Sequence, residues 1–374
     1  MRDRKRVCRG RVGALWIASL MVALAAWPRG GDSQTCTTQA KMTPQLRSSL
    51  SEAAKALAQA VQGDDVAQVQ TRMIAEFASG PAFASTANLV QQTSSRLQGD
   101  DLEVTQVYEL DSNLTGSRQS SVTAFNCPLA ASTSEVDFSI PGLPPGDYGF
   151  AMVEAKGDRP WLLSFLLQQN AGQWELAGFY PRARLADGHD GLWYWKSARD
   201  YANADELWLA WLFYGEADTL LRPANFVTST NLDRLHSEQW SAAPPELISG
   251  VSADHPLVVT ASAGSSTGAS AGSSGGQGAP ATYRFSGLSA EGSEDGQHLN
   301  LILHLLGENL SDTAAAEERS KAAARAMIDA HMELRQAFHS VWVFTVPSGS
   351  SAAASGFAPG VQPLVTEQLL SAIP

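Results

Sequence analysis

The chain has 374 residues, of which 44% are hydrophobic and 17% are charged, and its formal net charge at pH 7 is −12. This length is enough for two or three domains with substantial cores. The acidic balance argues against nucleic acid and anionic lipid as electrostatic partners, and a solvated acidic surface is the simplest interpretation of it.

The first 26 residues have the pattern of a secretory signal peptide. Six basic residues precede a weakly polar to apolar run from Val12 to Ala26, and small residues near Ala25 suit a cleavage site. A spanning helix needs about 20 residues, more than this run supplies, so we expect cleavage. The mature chain would reach the periplasm or the extracellular space without membrane insertion. An uncleaved N-terminal anchor is the lesser alternative.

Export would place the cysteines in an oxidising compartment. Cys8 lies in the predicted signal, so Cys36 and Cys127 remain as a pair and we expect a disulfide between them. It would join a flexible tether, residues 27–42, to the first domain. The alternative is two free thiols, with Cys127 buried as a small hydrophobe.

A first domain of α+β type is predicted for residues 43–185. Apolar spacings of three and four predict helices, and after Gly99 an alternating pattern predicts the strands of an antiparallel sheet. The predicted helices cover 44–61, 66–77 and 87–97. The predicted strands cover 102–110, 121–125, 136–140, 148–154, 161–167 and 174–180.

Two local sequences in this domain carry a resemblance to a known family. The Ala-rich first helix ends in Gly63-Asp64-Asp65, and the last strand reads GQWELAGF from Gly172. With this order of elements, residues 44–182 resemble the nuclear transport factor 2-like superfamily. The resemblance implies a cone-shaped domain with a pocket, and we expect Trp161, Trp174 and Tyr180 near its wall. No functional residue carries over, since no catalytic motif matches.

A helical hairpin is predicted within residues 186–245. Helices at 192–201 and 206–221 flank a turn that ends in Asp205 as an N-cap, and Pro223 stops the second helix. The segment resembles one tetratricopeptide repeat in its large and small positions, which are Tyr194, Ala198, Tyr201, Ala210, Tyr214 and Ala217. A lone repeat cannot bury its own face, so the hairpin must dock on a neighbouring domain.

The aromatic side chains of this hairpin have two interpretations. Tyr194, Trp195, Trp208 and Trp211 would form a core between domains, which is the more ordinary role, or they would line an aromatic ligand groove.

A small α/β domain with a covering helix is predicted for residues 246–374. Strands at 256–260 and 282–285 flank a tract of Gly, Ser, Ala and Thr at 261–281, which we interpret as a disordered hairpin loop rather than a linker between domains. A strand at 298–306 precedes a helix that begins at Ser311 or Asp312 and runs to Phe338. A further strand covers 341–346.

Motifs that carry chemistry are weak in this chain. Three Gly-x-Ser-x-Gly matches overlap between Gly264 and Gly276, but a Gly and Ser tract produces them by composition and no helix follows, as a nucleophile elbow requires. The sequence therefore predicts no catalytic residue at this tract.

The histidines do not form a predicted metal site. His331 and His339 lie eight residues apart, which does not fit the His-Glu-x-x-His pattern, and His298 and His304 are too far apart along one strand to share an ion. The loop containing His189 and Asp190 is interpreted as the turn that enters the hairpin rather than an ion site. We predict no metal, cofactor or catalytic site.

These features favour an exported, non-enzymatic protein that mediates protein–protein interaction in the cell envelope. Its partner would be another protein or a copy of itself, contacted through the hairpin and the first sheet. The alternative is small-molecule binding or enzyme activity in the pocket of the first domain.

Overall fold

The computed structural model describes residues 35–97, 99–113, 121–129, 132–261, 281–293, 295–308, 310–347, 352–353, 356–357 and 363–373. The predicted signal peptide, residues 27–34 of the predicted tether and residues 262–280 of the Gly and Ser tract lie outside these ranges. Within them, no helix combines the length and the apolar character needed to cross a membrane. The fold is α+β, as predicted.

The helices begin at residues that can cap them. They are α1 (Pro44–Gln62), α2 (Val66–Thr71), α3 (Gly80–Ser94), α4 (Gly191–Asn203), α5 (Leu207–Leu221), α6 (Thr230–Ser241) and α7 (Thr313–Ala330). Five caps accept a hydrogen bond from a first-turn N–H, which would otherwise lack a partner. These caps are Thr43, Asp65, Asp190, Ser229 and Asp312.

The strands form two five-stranded sheets, one three-stranded sheet and two short hairpins among the described residues. They are β1 (Thr35–Thr38), β2 (Asp101–Asp111), β3 (Val122–Pro128), β4 (Glu135–Pro141), β5 (Asp147–Lys156), β6 (Trp161–Asn170), β7 (Gln173–Ala183), β8 (Leu185–Ala186), β9 (His189–Asp190), β10 (Val227–Ser229), β11 (Leu257–Thr260), β12 (Thr282–Gly292), β13 (Leu299–Glu308), β14 (Ser340–Pro347), β15 (Ala352–Ala353), β16 (Gly356–Phe357) and β17 (Leu364–Leu369).

Helix α2 ends six residues before the predicted end at Phe77. The backbone beyond it pairs with β7 instead, because Leu176 N–H donates to the carbonyl of Arg72 at 2.6 Å and Ile74 N–H donates to the carbonyl of Leu176 at 3.0 Å. Tertiary hydrogen bonds therefore outcompete the local helical pattern.

The ends of other helices also differ from the prediction, and α3 ends at Ser94 rather than at residue 97. Helix α7 stops at Ala330 rather than Phe338, because His331 takes a non-helical backbone with φ −134° and ψ 72°. Helix α3 begins at Gly80 and has a proline in its first turn, where a missing N–H costs nothing. Asp205 does not cap α5. It lies at φ 63°, and the capping position is Glu206.

The first sheet has the order β1-β2-β5-β6-β7, and both of its faces are covered. Helices α1 to α3 pack on one face around Leu57, Val153 and Phe165, which fills the space between helices and sheet. Helix α1 comes so close that a Cβ on Gly149 would lie 2.4 Å from a methyl carbon of Leu50. Among the described residues both faces of this sheet are thus packed against other elements, and contact of the sheet with a partner stays a prediction.

The opposite face is covered by a second sheet of order β10-β4-β3. Cys36 of β1 and Cys127 of β3 form a disulfide with 5.2 Å between their Cα atoms. The predicted pairing is therefore confirmed. The disulfide joins the two sheets, because β1 is a strand where the sequence predicted a flexible tether.

The third sheet has the order β11-β12-β13-β14-β17 and is antiparallel except for β13 and β14, which α7 connects. Helices α4, α5 and α7 pack on it in one cluster that contains Trp208, Leu301, Met327 and Val343. Strands β11 and β12 pair from Thr260 and Thr282 onward. The Gly and Ser tract thus connects two paired strands.

Candidate functional site

A pocket of about 260 Å³ lies between the first two sheets and the helices α4 to α6. It opens on the face of the first sheet opposite α1. Most of its lining is apolar, and its residues come from β2, β4, β5, α4, β10, α6 and the end of α5. They are Tyr108, Val136, Phe138, Phe150, Met152, Leu192, Trp195, Leu221, Pro223, Val227, Thr228, Ser229, Asn231 and Leu232.

Aromatic rings build the floor of this pocket. The ring of Phe138 meets those of Tyr108 and Phe150 edge to face, with centroids 5.3 and 5.2 Å apart. Alternation along β5 places Phe150 and Met152 on this face, while Val153 lies in the core under α1. Burial raises the pKa of Tyr108, so its hydroxyl is a neutral hydrogen-bond donor at physiological pH.

The rim of the pocket carries its few polar groups. Ser229 caps α6 by accepting a hydrogen bond from Leu232 N–H, and the Thr228 hydroxyl donates to Asp233 at 2.7 Å. Leu192 is 62% exposed at the mouth. Hydrogen bonds to α6 thus hold the polar residues of the rim in place, and the exposed side chain at the opening of the pocket is apolar.

Trp195, one wall of the pocket, is held by a carboxylate on α6. Its indole N–H donates to Glu238 at 2.8 Å, and Arg199 makes two hydrogen bonds to the same carboxylate at 2.6 and 2.9 Å. Arg234 adds a third cationic contact at 2.9 Å. These hydrogen bonds, above all those from Arg199, hold the pKa of Glu238 at about 2, so it stays ionised and orients the indole.

A second cavity of about 600 Å³ lies on the outer side of α4, α5 and α6. It is a more open groove with polar walls, which include Arg199, Tyr214, Arg234 and Glu238. The groove therefore belongs to the hydrogen-bond network that supports Trp195.

A charged cluster lies beside the apolar pocket. Asp218 accepts hydrogen bonds from Arg222 at 2.9 Å and from Nε2 of His236 at 2.9 Å. Arg182 of β7 donates to the side-chain carbonyl of Asn225 at 2.5 Å, in the loop that follows Arg222.

The charges within this cluster act on one another. Burial opposes ionisation of Asp218, but the hydrogen bonds from His236 and Arg222 outweigh it and lower the pKa of Asp218. The pKa of Arg182 is lowered by burial and by the positive charge of Arg222, and Asp218 opposes that effect. Asp218 thus binds one guanidinium group and a histidine directly, and its charge also acts on a second guanidinium group, that of Arg182.

The aromatic residues singled out from the sequence take different places. Trp161 and Trp174 pack with the core under α1, and Tyr180 packs edge to face on Phe226 on the pocket side. None of the three lines the pocket, which lies on the other side of the sheet from the expected cone interior.

The aromatic residues of the hairpin also separate. Tyr194 and Trp208 are buried in the core shared with the third sheet, and Trp211 packs against that core. Trp195 belongs to the same cluster but also lines the pocket. The core interpretation therefore describes Tyr194, Trp208 and Trp211, and the ligand-groove interpretation stays a prediction for Trp195.

The histidines form contacts other than metal sites. Asp190 caps α4, and the ring of His189 stacks on Trp193. His331 packs against Trp208, and His298 stacks on His339 with 4.0 Å between centroids. Parallel stacked imidazoles cannot both hold one ion in their ring planes. In the described ranges no group of three His, Cys, Asp or Glu side chains could hold a metal ion.

The sequence did not reveal the residues that build this pocket. Phe138 and Phe150 have the pattern of ordinary strand residues, and α6 and β10, the strand that contains Val227, were not predicted at all. The signal that could have located α6 is Ser229 followed by Leu232 and Leu235, a cap before an apolar spacing. Nothing local links α6 to β4.

No protein-family model, curated protein or solved structure matches this chain.

Proposed function

We propose that this protein is an exported binding protein that takes a small apolar molecule into the pocket between the first two sheets and α6. The observation that carries the proposal is the open apolar cavity itself. Protein interiors are close-packed, so its walls lack contacts that a ligand would supply. Its volume of about 260 Å³ lies just below the range for drug-sized ligands, which favours a small ligand.

The site of action proposed here is the periplasm or the extracellular space. Two features support it, the signal-like N-terminus and the disulfide between Cys36 and Cys127. The resemblance to nuclear transport factor 2-like domains stays a prediction. It is compatible with three helices packed on one face of an antiparallel sheet.

Binding of the neutral fluorescent probe N-phenyl-1-naphthylamine tests this proposal. We expect saturable binding at one site per chain. Val136→Phe fills the pocket from β4 and should weaken binding at least tenfold. Val122→Phe places the same extra volume on the exposed side of the adjacent strand β3 and should leave binding unchanged. Equal binding by both variants would count against the pocket.

A second function, contact with a protein partner or a second copy of the chain, is favoured by exposed apolar side chains near the hairpin. Trp240 at the end of α6 is 52% exposed and packs on Trp211. If this surface self-associates, sedimentation should show a dimer that Trp240→Ser dissociates and that Val365→Ser, on the third sheet, does not. A monomer at all concentrations would exclude self-association.

A further inference from the structure

The charged cluster beside the pocket carries an excess of positive charge in an acidic protein. Asp218 accepts hydrogen bonds from Arg222 and His236, and its negative charge also acts on Arg182, whose described hydrogen bond goes to Asn225. The formal charge of the whole chain is −12. A cationic group without its own carboxylate, partly removed from water, is costly unless an anion compensates it.

The cluster adjoins the pocket through three elements. Arg222 lies between Leu221 and Pro223, which both line the pocket. His236 follows the lining residue Leu232 by one turn of α6.

The third connection is the first sheet. Arg182 lies opposite Leu162 on the neighbouring strand, and Leu162 lies opposite Glu154 of β5. The side chain of Glu154 points to the same face of β5 as those of the lining residues Phe150 and Met152, because the three are two residues apart. Arg182 therefore lies on the pocket face of the sheet. Apolar walls and a cationic group thus occur on the same face.

We infer that the ligand of this pocket is amphipathic, with an anionic carboxylate or phosphate head group that Arg182 binds while its apolar body fills the pocket. This inference rests on the proposed function. Arg182 has five N–H donors, and the described contacts use one of them, to Asn225. The remaining donors suit bidentate recognition of either head group.

Arg222 and its partners act as positioning residues in this arrangement. Asp218 accepts from both Nε and Nη2 of Arg222, at 3.1 and 2.9 Å, which fixes that side chain along α5. Arg222 then adds positive potential beside Arg182 without needing to contact the head group. Asn225 accepts a hydrogen bond from Arg182 with an uncharged side chain, so it does not neutralise the positive charge of Arg182.

Competition against the bound fluorescent probe tests the inference with three ligands of equal chain length, decanoate, decyl phosphate and decanol. We expect at least one of the two anions to displace the probe at concentrations about tenfold or more below those of decanol, because an ionic hydrogen bond is lost with the alcohol. The comparison of decanoate with decyl phosphate shows which head group is preferred.

Two variants locate the effect. Asn225→Asp supplies the missing carboxylate next to Arg182 in an isosteric side chain, and Arg182→Gln removes the cation. In both variants the two anions should displace the probe only at the concentrations that decanol requires, and decanol itself should still bind. Asn203→Asp adds the same charge at the end of α4 and should keep the preference.

The outcomes separate the two proposals. Displacement by decanol and the anions at equal concentrations, or a preference that survives both variants, would overturn the anionic head group and leave apolar binding standing. Failure of all three ligands to displace the probe in the unmodified chain would end the inference. Failure of the probe itself to bind would end the proposed function as well.

Discussion

Glu216 is a carboxyl group that the fold buries without a full set of partners. It is 2% exposed in α5, and its Oε2 has no hydrogen-bond partner among the described residues. Burial, with a smaller effect from the charge of Glu291, raises its pKa to about 8. At neutral pH it is therefore protonated in the folded chain and ionised in the unfolded chain.

This shift makes stability depend on pH in a defined direction. Because the folded pKa is raised, the contribution of Glu216 is complete below pH 4.5 and is lost as pH rises through about 8. Between pH 6 and 8 the free energy of unfolding should fall by about 2 to 3 kcal/mol more in the unmodified chain than in Glu216→Gln. Urea unfolding at several pH values measures this difference, and parallel curves for the two proteins would contradict it.

Gly149 is required by the close approach of α1 to the first sheet. In Gly149→Ala the new methyl group would meet the side chain of Leu50, and we expect a loss of about 1 to 3 kcal/mol in the free energy of unfolding. Gly215→Ala is the matched control. Gly215 lies in α5, and outside the backbone of that helix the nearest atom to its added Cβ would be Nε2 of Gln239 at 3.6 Å, so the free energy of unfolding of that variant should rise by up to about 1 kcal/mol. Chemical denaturation of both variants checks this, and equal stabilities would contradict it.

Single residues were predictable where the signal is local. Asp190 as the turn residue before α4 and the pairing of Cys36 with Cys127 follow from short patterns and from a count of cysteines. Arg182, Asp218 and His236 could not be grouped from the sequence, since β7, α5 and α6 meet only after folding. The burial of Glu216 could not be predicted either, because a single polar residue in an apolar helix is expected to face the solvent.

Elements were predicted well where their own periodicity decides their length. Helix α1 and strands β5 and β6 lie within a few residues of the predicted ranges. Strands β1 and β10 have only four and three residues, and each exists because a longer strand of another segment pairs with it. The disulfide adds to this dependence by tying β1 to β3.

The disulfide should therefore stabilise the contact between the first and second sheets. Closing a loop with a sequence separation of 91 residues is worth about 4.6 kcal/mol in the chain-entropy model. We expect a reductant to lower the unfolding temperature of the unmodified chain to that of the Cys36→Ser/Cys127→Ser variant, and to leave the variant unchanged. An unfolding temperature that does not respond to reductant would show that the disulfide contributes nothing to stability.

In the molecule as a whole, the described residues form three buried hydrophobic clusters. The proposed binding pocket lies at the edge of the cluster between the first two sheets, which contains Phe138 and Phe150. The space expected inside the first domain is filled by α1 to α3. The open space lies on the opposite face, where β10 and α6 return to the first sheets from a segment about 90 residues later in the chain than β4. Sequence patterns predict faces of elements, but not which distant segment covers them.

A crystal structure of the chain with N-phenyl-1-naphthylamine bound tests directly whether the apolar pocket is the binding site. We expect density for the probe between Phe150, Trp195 and Val227, with the walls of the pocket otherwise unchanged. Density in the polar groove beside Tyr214 and Glu238, with the apolar pocket empty, would contradict it.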